Sequence, residues 1–358
     1  MPAPEMRMTP GSSTRLRMED PDTHVTTLPN GVRVLVLVLP QASTASVSVV
    51  VRAGSRHETA RLNGISHMVE HMAFKGTRTR DCQRINLDAE RLGAEVNAHT
   101  DKDHTAYHMH GLPRDVDAFV AMLGDIVLES RFPEAEIERE RQVILQELLE
   151  DEDDPLSTAF KLYDRLCFGR HALAQAVIGR RANIERFTRD DLLDHVARHH
   201  VGGATLVAVA GPVDPARVVA QAQAVFGAMP AGTPATVDAP VHVGGVRMRR
   251  LAGCSQTHLV MGYPTPSLRE GEALSVMTAA VLGEGMSSPL LDTVRERLGL
   301  VYYAGCSADL SDLAGQFVIE ASTTPEHLAT CARTIMDLLR GLAERVDPMH
   351  VARARNQL

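Results

Sequence analysis

Two histidines four residues apart enclose a glutamate in the string His67-Met68-Val69-Glu70-His71. On a helix that spacing is one turn, so both imidazoles can point at one cation. Glu70 shares nearly the same face and can reach a water beside that cation. The order HxxEH is the reverse of the HExxH zinc motif, and the chemistry it suits is metal-assisted hydrolysis of a peptide bond. Glu70 would carry a proton from the water to the leaving amine.

Zinc takes further protein ligands, and a catalytic site keeps one position open. Glu147, 76 residues after His71, is a candidate third ligand. It sits on a helical pattern with Glu140, seven residues earlier and nearly on the same face, where a carboxylate can orient a ligand. By spacing alone, Glu134, Glu136, Glu138 and Glu150 compete for either role.

The elements that must hold these residues are legible as patterns. A turn at 27–31 leads into a strand over 32–39, and a second strand covers 47–53. A helix begins near Ile65, carries the HxxEH string and stops at Gly76. Another helix over 84–92 precedes strands at 95–100 and 105–112. Long helices follow at 116–129 and 133–149, the second starting on Pro133. The acidic run 150–154 reads as a solvated loop. It is also a candidate attractor of basic peptide residues. More helices and a strand at 204–210 complete this unit.

Residues 227–245 are rich in Gly, Pro and Ala, the composition of a linker. Beyond them the pattern repeats: strand 256–263, helix 271–282, strands 299–310 and 315–321, helix 325–342. This weak internal duplication carries no second HxxEH. The expected organisation is a mobile tail at 1–22, a zinc-bearing domain at 23–226, a linker at 227–245 and a second homologous domain at 246–358. That second domain reads as truncated at its C-terminus.

Composition narrows the partners. A net charge of −8 and the lack of a basic patch interleaved with aromatics argue against nucleic acid. Trp is absent and aromatics are 4%, so the core must be aliphatic. The apolar runs are strand-sized, too short to span a membrane. Five scattered cysteines without a CxxC pair fit free thiols in a reducing compartment, and the expected location is cytoplasmic.

The stretch GISHMVEHMAFKGT (64–77) resembles the pitrilysin family of metallopeptidases, in the branch of mitochondrial processing peptidase and its bacterial relatives. ERERQVILQEL (138–148), LPNGVRVLV, NAHTDKDHTAYH and VAVAGPVDP (207–215) are similar to the same branch, so the resemblance runs from about residue 24 to the end. It implies an α+β fold of two homologous domains, each a mostly antiparallel sheet with helices on one face, forming half of a clamshell. It implies a zinc endopeptidase with one Zn2+ per chain on His67, His71 and Glu147, Glu70 as general base, and Glu140 as a further catalytically important residue. Substrate would bind as an added strand along 96–100, with Asn97 and Ala98 the expected contacts.

The segment GEGMSSPLLDTVRERLGLVYY resembles the family's Arg and Tyr stretch, and places Arg295 and Tyr302 opposite the zinc. Tyr302 would then donate to an oxyanion and Arg295 hold substrate carbonyls. A homodimer, or a heterodimer with a metal-less paralogue, would close the chamber around a peptide or unfolded segment. Pro289 stands where many relatives carry Arg. A different class of reading, a non-catalytic core-protein-like subunit, is disfavoured because His67, Glu70, His71 and Glu147 are all present. Outside the motif, His104, His108 and His110 share one face of a strand pattern and read as surface or groove histidines rather than a second metal site.

Overall fold

The computed structural model describes residues 22–358. The tail expected at 1–22 lies outside the described residues, apart from Asp22, which begins a strand. The first domain opens with β1 (Asp22–Thr27), β2 (Arg33–Val38), β3 (Ala45–Val51), α1 (Ile65–Ala73) and α2 (Cys82–Arg91). It continues through β4 (Glu95–Thr100), β5 (Thr105–Gly111), α3 (Val116–Leu128), α4 (Glu134–Asp153) and α5 (Pro155–Phe168). It closes with α6 (Arg181–Ile184), α7 (Arg189–His199), β6 (Thr205–Gly211) and α8 (Pro215–Phe226).

Its six strands lie in the order β1-β2-β6-β3-β5-β4. β2 and β6 run parallel, and the other neighbours are antiparallel. Alternation in β3 and β6 buries Val47, Val49, Val51, Val207 and Val209 on one face. There they meet Phe119, Leu123 and Ile126 of α3 and Val218 and Phe226 of α8. Each such side chain taken fully from water contributes about 1.5–3 kcal/mol. A second cluster packs Met68, Val69 and Met72 of α1 against Ile137, Ile144 and Leu148 of α4, with Phe187 and Leu192 beneath.

The second domain contains β7 (Thr257–Thr265), α9 (Ala273–Gly283) and α10 (Pro289–Leu291), which runs into a π-helical turn over Asp292–Arg297. β8 (Val301–Leu310), β9 (Gly315–Thr323), α11 (Leu328–Glu344) and α12 (Pro348–Gln357) follow. The three strands are antiparallel in the order β7-β9-β8. That is the order of β3-β5-β4, with a helix pair inserted at the same point of each meander. No helix or strand occupies 227–256. This segment lies along the first domain, where Val243 and Gly244 donate backbone N–H groups to Cys167 and Leu166.

Tyr163, Cys167 and Phe168 of α5 pack on Val260 and Val318 between the domains. A Cβ on Gly262 would fall on the Tyr163 hydroxyl, so only glycine admits this approach. All five cysteines are unpaired. Among the described residues no helix is long and apolar enough to cross a membrane.

Two expectations change. β1, unforeseen, pairs antiparallel with β2, and all six of its residues are exposed, so no buried face marked it. The acidic run is not a loop: Glu150–Asp153 form the last turn of α4, and Asp154 caps α5 through the Leu156 and Ser157 N–H groups. Pro289 causes no disruption, because it takes the first helical position of α10 behind a Ser288 cap.

Candidate metal centre

α1 places His67, Glu70 and His71 on its half-buried side, while its apolar stripe faces α4. The two imidazoles lie edge to face with centroids 4.6 Å apart. Glu147 comes across from α4, and its Oε2 lies 3.7 Å from His67 Nε2 and 3.5 Å from His71 Nε2. Two ligands about 2.0–2.1 Å from a tetrahedral zinc stand roughly 3.3 Å apart. The two histidine–carboxylate separations are therefore close to those of a zinc ligand set, and the three groups offer ligand atoms within 4.8 Å of one another. Among the described residues this is the one group of at least three His, Cys, Asp or Glu side chains that could hold a metal ion.

The protonation state of His67 favours ligation. Burial, reinforced by the neighbouring His71, brings the His67 imidazole down to about 4, so it is neutral at pH 7. Burial raises the Glu147 carboxyl, His71 pulls it back, and Glu70 and Glu140 push it up further. A cation among these groups relieves their mutual repulsion. Glu70 keeps a buried carboxylate oxygen, Oε2, with no hydrogen-bond partner, and His67 Nδ1 is similarly unpartnered. Burial, together with the Glu70 charge, raises the Tyr107 phenol, which stays protonated below it.

Glu140 lies behind His71. The His71 Nδ1–H donates to Glu140 Oε2 at 3.2 Å, which leaves the Nε2 lone pair facing Glu147. Lys75 Nζ, 2.7 Å from Glu140 Oε1, fixes the carboxylate from its other side. A carboxylate holding the distal nitrogen of a ligating histidine sets its tautomer and basicity. Lys75 escaped the sequence reading, although it lies one helical turn beyond His71.

Asn97 and Ala98 sit on β4, the edge strand of the first sheet, which contacts α1. The Asn97 side chain accepts the Ala98 N–H at 2.8 Å. Arg295 and Tyr302 do not join the cluster. The guanidinium stacks 5.5 Å from the Tyr302 ring, and Tyr302 is 85% exposed. Among the described residues neither makes a hydrogen bond or ion pair to the histidine group; Arg295 meets Met286 and Glu296 instead. His99, His104 and His108 gather at ring separations of 5.5 and 5.9 Å, and His110 bonds Ser46.

Comparison with known proteins matches residues 33–180 to the model of the insulinase family, peptidase family M16, and residues 186–358 to the M16 inactive domain. The second match includes α7, β6 and α8, which belong to the first domain. An uncharacterized zinc protease of Rickettsia bellii is 31% identical over 94% of this chain and 82% of its own length. One of Mycobacterium tuberculosis is 36% identical over 89% of this chain and 74% of its own. A protease from Helicobacter pylori superposes with a TM-score of 0.87 at 21% identity, covering 95% of this chain and 84% of that one. A peptidase M16 inactive domain from Pseudomonas fluorescens superposes with a TM-score of 0.86 at 20% identity, covering 94% and 83%. The chain belongs to the insulinase family, M16.

Proposed function

We propose that this M16 family member is a zinc-dependent endopeptidase in which His67, His71 and Glu147 hold one zinc ion per chain. The observation that carries the reading is the convergence of both Nε2 atoms on Glu147 Oε2 at 3.7 and 3.5 Å. The zinc-protease names of the relatives support it. The chemistry such an ion supplies is Lewis acidity, which polarises a carbonyl and brings a water's pKa to about 7.

The chain's own residues do the rest. Glu70 takes the proton of the attacking water as its oxygen bonds to the carbonyl carbon. It returns that proton to the amine nitrogen as the C–N bond breaks. Glu140 keeps His71 in the ligating tautomer, steadied by Lys75. An extended peptide lies along β4 as an added strand, reading Asn97 and Ala98 mainly through backbone. To do so it displaces the Asn97 side chain from the Ala98 N–H, a contact that protects the edge when no peptide is there.

Arg295 and Tyr302 act on substrate held by another subunit. The exposure of Tyr302, and the partners Met286 and Glu296 that Arg295 takes instead of this chain's own cluster, support that arrangement. A homodimer is self-sufficient, since each chain has both the zinc residues and the Arg/Tyr pair. The zinc-bearing unit is 23–226, joined through 227–245 to 246–358. Metal analysis with a peptide cleavage assay tests the reading. About one zinc per chain and cleavage abolished by chelator are expected; cleavage that survives full metal removal refutes it.

A further inference from the structure

The metal helix has an unusual start. Its N-cap is Gly64, at φ 102°, which has no side chain to accept the free N–H groups of the first turn. Glycine is required there because a Cβ would stand 2.9 Å from Gly179 Cα and from the Ile178 carbonyl. The cap comes instead from Glu58, six residues upstream and 6% exposed. Its Oε1 accepts the Ser66 N–H at 2.8 Å, and its Oε2 accepts the Gly64 N–H at 2.8 Å and the Asn63 side-chain amide at 3.0 Å. Ser66 immediately precedes His67, so this carboxylate fixes the turn from which the first ligand projects.

Glu58 is fixed in turn from outside the helix. It follows a short 3-10 turn, Ser55–His57, whose Ser55 and Arg56 N–H groups bond Asp101 and Lys102 of the β4–β5 turn. Gln175 donates to the Glu58 carbonyl at 3.0 Å. Between them the Arg56 guanidinium, its side chain 2% exposed, reaches Asp103 at 2.8 Å and bonds Asp312 of the second domain. Asp312, in the β8–β9 turn, also takes Arg52 and Arg269, each at 2.6 Å. One carboxylate of the second domain thus gathers two arginines of the first and one of its own. The contact lies two residues from the group that caps the metal helix.

We propose that Glu58 is a positioning residue for the metal ligands, and that Asp312 sets it from the second domain through Arg56. The second domain then does more than complete a chamber: its docking tightens the metal helix. The inference rests on the zinc reading above. Mutual positions of ligand atoms govern how fast a metal leaves, so zinc release is the readout, alongside kcat and KM for a peptide.

Zinc transfer from the full-length chain to a chelator should be about tenfold faster in Glu58→Gln, in the range seen when groups behind metal ligands are lost. Glu58→Asp, one methylene too short to serve both Gly64 and Ser66, should fall between that variant and wild type. Asp312→Asn should accelerate release about threefold and lower kcat with little change in KM. Asp312→Glu, which keeps the charge, should show mostly wild-type release and kcat, and Asp117→Asn, which removes a surface partner of Arg217, should change nothing. Wild-type release in a folded Glu58→Gln or Glu58→Asp overturns the positioning role. Altered release in the Glu58 variants with wild-type release in Asp312→Asn, whatever its unfolding temperature, overturns the link between domains. A wild-type chain that retains no zinc overturns this inference and the zinc reading together.

Discussion

The two domains share one plan, yet their corresponding helices are built for opposite tasks. α1 enters after β3, at the same point in the strand order as α9 after β7. α1 carries His67, Glu70 and His71 and is held at its start by a buried carboxylate. α9 buries Ala279, Ala280, Val281 and Leu282, lacks a side-chain cap, and packs on α12 and β8. Burying polar groups costs stability unless each is paired or used. The first domain bears that cost around its cluster, and it does so again in α7 and its C-cap, where His195 and His200 are buried. The second domain has no buried histidine among its described residues, and of its functional candidates Tyr302 is exposed and Arg295 half-buried. The difference teaches that the fold is a neutral frame, and that chemistry follows where polar burial is maintained.

The strongest way to break this contrast is to remove a ligand. His71→Ala should abolish zinc retention and reduce peptide cleavage to background, a loss of at least about a thousandfold. Thr278→Ala in α9 should change neither, and equal losses in both would erase the distinction. Tyr302→Phe should reduce kcat about a hundredfold at unchanged zinc content, as loss of one oxyanion donor does. A fall in zinc content instead would move Tyr302 from the substrate to the fold. Glu140→Gln should weaken zinc binding about tenfold or more in a chelator titration, because the carboxylate charge behind His71 is lost and one amide oxygen must serve both His71 and Lys75. Unchanged affinity would remove Glu140 from behind the metal.

Acid supplies the mildest probe. Burial, with the neighbouring Arg56 charge, lowers the His57 imidazole to about 4. Burial likewise lowers His200 to about 4, and His195 well below its ordinary value. These groups take up protons more readily when unfolded, so their share of stability is full above about pH 6.5 and lost as pH falls toward 4. By pH 5 the loss should be about 1–2 kcal/mol for each of His57 and His200. Hydrogen exchange, corrected for intrinsic rates, should show α7 and β6 losing protection before β8 and β9. Simultaneous loss in both domains would contradict the account.

What the sequence disclosed follows the range of the physics. The His67–His71 spacing is local, and a helix converts it directly into geometry. Strands with one buried face, such as β3 and β6, announced themselves by alternation, whereas β1 is exposed throughout and carried no such signal. Glu147 could not be separated from its neighbouring glutamates by spacing, and the family resemblance singled it out. Glu58 was invisible, because its cap reaches the helix from six residues upstream rather than from the N-cap itself. The Arg56–Asp312 contact joins positions 256 residues apart, which no periodicity encodes.

The central claim is that Glu70 moves the proton at a zinc site held by His67, His71 and Glu147. Zinc stoichiometry and peptide cleavage, measured together on wild type and Glu70→Gln, test it most directly. Both proteins should hold about one zinc per chain, and the variant should lose at least a hundredfold in kcat. Undiminished cleavage by a zinc-loaded Glu70→Gln chain would contradict it.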